Sequence, residues 1–316
     1  MLTSPAPEAR AVNILFASEK EKPEFWFPLL EQALPQDRFF AWPDTNGGDI
    51  DLAIVATHPP GTFEGLDKLR LIQSLWMGVE NIVADPHLPK GVPVARLIDP
   101  GMVAAMGETV AAYVLDWHRH FYLYRRWQAE KTWKRRRQYL AGDRTVGILG
   151  LGELGGTVAA RLLGMGFHLA GWSRRPKSLP GVHCSTDLDD VLARSDAVVC
   201  LLPLTAHTRG ILDAAALARI RKGGCVINLA RGAHVVTAAL LSALDSGHLA
   251  HAYLDVFETE PLPADSPLWT HAGVTVTPHI AALSEPRTSV GRIAENVERV
   301  RRGELPRNLV DFAAGY

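Results

Sequence analysis

Six residues, Gly150-Leu151-Gly152-Glu153-Leu154-Gly155, stand directly between an apolar run at residues 146–149 and a helix-like stretch at residues 157–163. No other feature limits the fold as tightly. Where a strand enters a helix through GxGxxG, the first glycine permits the tight turn and the second lets the backbone approach a pyrophosphate. The third allows close helix–strand packing. The helix N-terminus then presents its unsatisfied N–H groups to the phosphates. Gly150, Gly152, Leu154 and Gly155 are therefore expected to hold a dinucleotide at one edge of a parallel sheet.

Apolar runs punctuated by Gly, Pro or polar residues recur along the chain. Strands are predicted at residues 12–17, 50–56, 71–75 and 92–95, with a helix over 25–34. After a helix over 101–124, a second series follows at 145–149, 168–172, 197–201, 225–229, 252–256 and 274–277. Strands alternating with helices imply doubly wound parallel sheets. A closing helix over 286–302 sets Val290, Ile293, Val297 and Val300 on one face and has no strand series of its own. It is expected to pack back on the first domain. The predicted class is thus α/β, with two Rossmann-like, doubly wound parallel-sheet domains. The dinucleotide-binding domain (99–281) is inserted in a discontinuous, flavodoxin-like substrate domain (1–98 and 282–316).

Composition removes several function classes. Across 316 residues, 33 Lys+Arg face 34 Asp+Glu for a formal charge of −1, so no broad basic field exists to recruit nucleic acid or an anionic membrane. No apolar run approaches the roughly 18 residues of a membrane span. Residues 1–10 hold two prolines and Glu8 where a signal peptide needs an apolar core. A cytoplasmic protein with a small-molecule partner is expected. Cys184, Cys200 and Cys225 form no CxxC pair, and no metal site is expected.

Cofactor choice is read after the second strand of the nucleotide unit, where an acidic residue would hold the ribose 2′-hydroxyl of NAD. That acid is missing. Residues 168–172 run instead into Ser173-Arg174-Arg175-Pro176-Lys177, a hydroxyl and three cations where a 2′-phosphate would lie. Guanidinium forks match phosphate oxygens, so NADP(H) is the expected cofactor, with NAD(H) used more weakly.

Three ionisable residues follow three successive strands of the second series: Arg231, Glu260 and His279. In a parallel sheet they fall on the rim that carries the glycine turn, where open α/β sheets bind ligands. Such a set beside a nicotinamide suits ketone reduction, because the carbonyl oxygen needs a proton and a positive neighbour as the carbon accepts hydride. His279 is the expected proton donor. Glu260 orients its ring, since a neighbouring carboxylate favours imidazolium, and Arg231 clamps a substrate carboxylate.

These residues resemble the D-isomer-specific 2-hydroxyacid dehydrogenase family. The likeness rests on residues 149–155, Asn228-Leu229-Ala230-Arg231-Gly232, Leu254-Asp255-Val256-Phe257 with Glu260-Pro261-Leu262, and Thr277-Pro278-His279-Ile280-Ala281. It implies that Ala230, Leu202, Pro203 and Thr208 line the cofactor and that Asp255 holds the nicotinamide carboxamide. It further implies that the loop Trp76-Met77-Gly78-Val79 receives the substrate carboxylate through backbone N–H groups. Ala41-Trp42, Arg96-Leu97 before Gly101-Met102, and Trp172-Ser173-Arg174 are similar to segments of the bacterial NADPH-dependent glyoxylate/hydroxypyruvate reductases in that family. Trp42 and Arg96 are therefore candidate substrate contacts, and a small 2-oxo or 2-hydroxy carboxylate is the implied substrate. The alternatives are a bulkier or phosphorylated acid, or a nucleotide-sensing corepressor-like role. The aromatic and basic stretch 118–137 is similar to the family's dimerisation arm, implying a homodimer.

Overall fold

The computed structural model describes residues 10–312; the outermost ends of the expected substrate domain and the leader reading at residues 1–9 lie outside the described residues. The chain separates into two units, Met1–Met102 with Ser284–Tyr316, and Val103–Leu283.

The first unit holds β1 (Asn13–Ser18), α1 (Pro23–Ala33), β2 (Arg38–Ala41), β3 (Leu52–Ala56), β4 (Leu71–Ser74), α2 (Glu80–Val83) and β5 (Val94–Ala95). Its five strands are all parallel, in the order β2-β1-β3-β4-β5, which is the flavodoxin-like winding. The chain passes into the second unit within α3 (Pro100–His118) and continues through α4 (Phe121–Ala129), β6 (Thr145–Leu149), α5 (Glu153–Gly164), β7 (His168–Trp172) and β8 (Val182–Ser185). Next come α6 (Leu188–Arg194), β9 (Ala197–Cys200), α7 (Ala214–Arg219), β10 (Gly224–Asn228), α8 (Thr237–Asp245), β11 (Leu249–Leu254) and β12 (Val274–Val276). These seven strands are parallel in the order β12-β11-β10-β9-β6-β7-β8. The winding reverses between β6 and β9, and Gly150 follows β6, so the glycine turn occupies the switch point where such sheets bind ligands.

Strands covered on both faces read as unbroken apolar runs; β3, β9 and β10 are buried along their whole length. The closing helix α9 (Pro286–Arg301) belongs to the first unit. Its Val290, Ile293, Val297 and Val300 are buried against Phe16, Trp26, Leu30, Leu71 and Leu97, and each such side chain contributes about 1.5–3 kcal/mol by leaving water.

Three details differ from the sequence-based expectation. The unit boundaries fall after Met102 and Leu283 rather than after residues 98 and 281. The fully buried Asp99 explains the first shift: its carboxylate accepts from Gly101 N and Met102 N, and from the hydroxyls of Thr288 and Ser289 on α9. That ties the first turn of α3 to the first unit. The single helix expected over 101–124 is two helices, because His120 turns the backbone into the left-handed region at φ 59°. The edge strands β2 and β8 had no counterpart in the apolar pattern, since their partly exposed side chains weaken it.

On β11, His251 is 3% exposed, packs against the rings of Tyr122 and Tyr253, and bonds the Thr275 hydroxyl through Nε2 at 2.8 Å. Burial pulls its imidazole down from 6.5 to about 4. Above pH 6.5 the ring is neutral folded or unfolded; between 6.5 and 4 only the unfolded chain takes up the proton, so stability falls as the pH drops and levels off below 4. The full difference is on the order of 3 kcal/mol. Urea midpoints across this range should decline less steeply for His251→Gln than for the wild-type protein; equal slopes would contradict the assignment.

Candidate functional site

The glycine turn is built by contacts that no side chain tolerates. Gly150 has φ 103° and donates its N–H to Trp172 O at 3.0 Å. A Cβ on Gly155 would stand 1.9 Å from Gly150 O, so α5 lies directly on the turn. Gly152, the N-cap of α5, differs: nothing stands within 4 Å of where its Cβ would be. That open side faces a groove of about 350 Å³ lined by Leu151, Gly152, Glu153, Gly156, Thr157 and Lys177. A backbone without side chains, at the start of a twelve-residue helix, fits a dinucleotide's phosphates. Leu154 is partly buried against the adjoining core, so it supports the turn.

Arg174, Arg175 and Lys177 are exposed after β7, and Lys177 Nζ donates to Leu151 O at 2.6 Å, which holds one cation against the glycine turn. Ser173 is 9% exposed and its hydroxyl donates to Arg175 O at 2.8 Å; it shapes the basic turn from within. Thr208 behaves alike, donating to Pro203 O at 2.7 Å and accepting from Thr205 N at 2.8 Å, while Leu202 packs beside Gly150.

Arg231 follows β10, Glu260 follows β11, and His279 follows β12, three neighbouring strands whose carboxyl ends share the rim of the glycine turn. Glu260 receives the Phe257 N–H on Oε1 at 2.9 Å and bonds His279 Nδ1 through Oε2 at 2.8 Å. A carboxylate only accepts, so Nδ1 carries the hydrogen and Nε2 is left as the ring's acceptor nitrogen. The Arg231 guanidinium donates to Ala230 O at 2.7 Å, and the fully buried His234 lies between the Arg231 backbone and Pro203 O. Gly232 allows this segment to touch its neighbour, for a Cβ there would fall 1.9 Å from Phe257 C.

His279 stands at φ 55°, a conformation a side chain rarely adopts. Asp255 holds it there. Its backbone O accepts from His279 N at 2.8 Å; its carboxylate accepts from Ile280 N and Ala281 N, both at 2.9 Å, and from the Thr277 hydroxyl at 2.6 Å. With the Thr277 proton committed to Asp255, the Tyr113 phenol must donate to Thr277 Oγ1, 2.9 Å away. Burial, with the Asp255 charge adding to it, raises the Tyr113 pKa and keeps that proton in place. Sequence reading assigned Asp255 to a nicotinamide carboxamide; its carboxylate also accepts from the loop that carries His279. Tyr113, Thr277 as a donor, and His234 were missed. Thr277 and His234 had one visible signal, a polar residue within a strand-end motif; Tyr113, on α3, had none.

In the first unit, Trp76-Met77-Gly78-Val79 leads from β4 to α2. Trp76 N donates to Ser74 Oγ at 3.0 Å and Trp76 O accepts from Leu97 N at 3.0 Å. Val79 is buried and its carbonyl takes Ile82 N and Val83 N. Among the described residues no acceptor meets the N–H groups of Met77, Gly78 and Val79, so three successive donors are open to an anion. Trp42 N donates to Phe16 O at the end of β1, with its ring packed on the core. Arg96 is turned inward, with Nε buried, and lines a small cavity of about 20 Å³ with Gln73, Asn296 and Arg307.

Residues 111–281 match the NAD-binding domain of the D-isomer specific 2-hydroxyacid dehydrogenases. The curated glyoxylate/hydroxypyruvate reductase A of Serratia proteamaculans (strain 568) is 39% identical over 313 residues, 96% of this chain and 100% of its own length. A D-isomer specific 2-hydroxyacid dehydrogenase from Xanthobacter autotrophicus Py2, solved with NADPH and MES, matches with TM-score 0.93 at 40% identity, covering 97% of this chain and 100% of that one. The NADPH-dependent glyoxylate/hydroxypyruvate reductase of Sinorhizobium meliloti, solved with NADP and sulfate, matches with TM-score 0.90 at 35% identity, covering 96% and 100%.

Gly155→Ala forces a methyl group into Gly150 O and must push α5 off the turn. Calorimetric titration with NADPH should show at least tenfold weaker binding, with the first unit still folded by circular dichroism. Unchanged affinity would show that the close approach is dispensable.

Proposed function

The chain belongs to the D-isomer specific 2-hydroxyacid dehydrogenase family, and from that membership we propose an NADPH-preferring reductase of small 2-oxo acids that converts glyoxylate to glycolate and hydroxypyruvate to D-glycerate. The observation that carries this reading is the His279–Glu260 pair, set with Arg231 on the sheet rim that bears the glycine turn. The names of the Serratia and Sinorhizobium relatives support the choice of substrates. The nicotinamide cofactor, when bound, supplies the hydride for the carbonyl carbon.

The residues of this chain do the rest. Gly150, Gly152 and the N-terminus of α5 would hold the pyrophosphate, and Arg174, Arg175 and Lys177 the 2′-phosphate, with NAD(H) accepted more weakly. Leu202, Pro203, Thr208 and Ala230 shape the wall beside them. His279 Nε2 delivers the proton to the substrate's carbonyl oxygen while Glu260 keeps Nδ1–H in place. Arg231 offsets the negative charge developing on that oxygen and orients the acid. The open N–H groups of residues 77–79 suit the substrate carboxylate, with Trp42 and Arg96 as further substrate contacts.

A two-fold dimer formed through residues 118–137 belongs to the same proposal. It is supported by Trp133 at 94% exposure, with Phe121 also exposed. No helix among the described residues is long and apolar enough to cross a membrane, and the three cysteines are unpaired thiols. Both fit the proposed cytoplasmic setting.

The test is steady-state oxidation of NADPH and NADH with glyoxylate, hydroxypyruvate, pyruvate and phenylpyruvate, for the wild-type protein and Arg174→Ala. NADPH with glyoxylate and hydroxypyruvate should be fastest. Arg174→Ala should raise the KM for NADPH about tenfold and leave that for NADH within twofold. Preference for phenylpyruvate would contradict the substrate. Tight NADPH binding without any turnover would contradict the enzyme and favour a nucleotide sensor.

A further inference from the structure

Two indole N–H groups converge on one carboxylate in the first unit. Glu21, in the turn after β1, accepts from Trp26 Nε1 on Oε2 and from Trp76 Nε1 on Oε1, each at 3.2 Å. The turn is itself held, since Ser18 Oγ accepts from Glu21 N at 2.8 Å and Lys20 N at 3.1 Å. Trp26 is fully buried on α1, so its N–H has no water to turn to and needs this acceptor. Trp76 packs its ring against the same core and opens the loop whose next three N–H groups are unpaired among the described residues. We infer that Glu21 is a positioning residue for the substrate carboxylate: by holding the Trp76 indole, it fixes the direction of the N–H groups of Met77, Gly78 and Val79.

This inference rests on the proposed function only for the identity of the anion. Its geometry is independent. Charge-assisted bonds to the two oxygens of one carboxylate fix both rings at once, one of them anchored in the core. Past α2 the chain is tied separately, by Asp85 to the buried His58 ring at 2.9 Å. Between those ties, Trp76 N on Ser74 Oγ, Trp76 O on Leu97 N and Leu75 O on the Ser284 hydroxyl set the backbone. The side-chain anchor at Glu21 decides whether the loop keeps one conformation once those backbone bonds are made. A preorganised set of donors binds an anion without first being ordered.

The prediction is a split between binding and chemistry. Glu21→Ala and Trp76→Phe should each raise the KM for glyoxylate about tenfold, with kcat within threefold and the KM for NADPH within twofold of wild type. The double variant should be no worse than Glu21→Ala alone, because the bond that Trp76→Phe removes is already lost there. Glu21→Gln keeps one acceptor oxygen and should fall between. Amide hydrogen exchange at Trp76, Ile82, Val83 and Leu97 should quicken in Glu21→Ala, and this readout needs no turnover. Thermal melting separates a general loss of fold: if Glu21→Ala is unfolded, Trp76→Phe and Glu21→Gln decide. Unchanged glyoxylate KM and exchange, or equal losses in every kinetic constant for a folded variant, would overturn the role of Glu21. A wild-type protein that turns over no 2-oxo acid would contradict the proposed function, while the exchange result would still decide this inference.

Discussion

Asp255 is 1% exposed, and a carboxylate that far from water persists only with its lone pairs filled. Every donor that fills them comes from the segment after β12: the Thr277 hydroxyl and the N–H groups of Ile280 and Ala281. That demand bends the segment around the carboxylate and carries His279 into a left-handed conformation. Such strain costs on the order of 1–3 kcal/mol, comparable to what one buried charged hydrogen bond returns. Several such bonds hold the loop, so the strained form is the stable one. The His279 ring then meets Glu260 with one nitrogen, and the other is the proposed proton donor.

The two sheets place chemistry in the same way. In each unit the candidate site lies beyond the carboxyl ends of parallel strands, where loops are free to carry function and strands buried on both faces hold them steady. The second unit spends its tightest packing on backbone approach: Gly155 on Gly150, and Gly232 on Phe257. These contacts are steric and tolerate no added methyl. The first unit achieves a fixed loop by a polar route, with Glu21 and Ser74 at its start and Asp85 past the helix that follows it. One unit thus presents glycine backbone suited to phosphates, and the other three open N–H groups suited to a carboxylate.

Much of this was legible before any coordinates. Parallel strands covered on both faces leave unbroken apolar runs, so β1, β6, β7 and β10 were found close to their true bounds. Strand-end motifs exposed Arg231, Glu260 and His279 because each lies in the loop that follows such a run. Edge strands such as Val182–Ser185 have a wetter face and no such run, and the break at His120 depends on a backbone turn that helical spacing does not encode. The supports of the site were hidden for another reason. Tyr113 lies 164 residues from Thr277, and Glu21 lies 55 from Trp76. Nothing in local periodicity joins residues so far apart. Asp255 was found as a residue of the site, yet its main partners emerged only when the fold closed around it.

The most direct test of this account is single-turnover oxidation of bound NADPH by glyoxylate, followed by stopped flow in the wild-type protein and in Asp255→Asn. An asparagine amide offers one acceptor oxygen where three donors converge, so the loop carrying His279 should lose its single conformation. The account predicts that the hydride-transfer step slows by about a hundredfold while NADPH affinity stays within threefold. A variant that transfers hydride at the wild-type rate would contradict it, because His279 would then need no buried carboxylate to do its work.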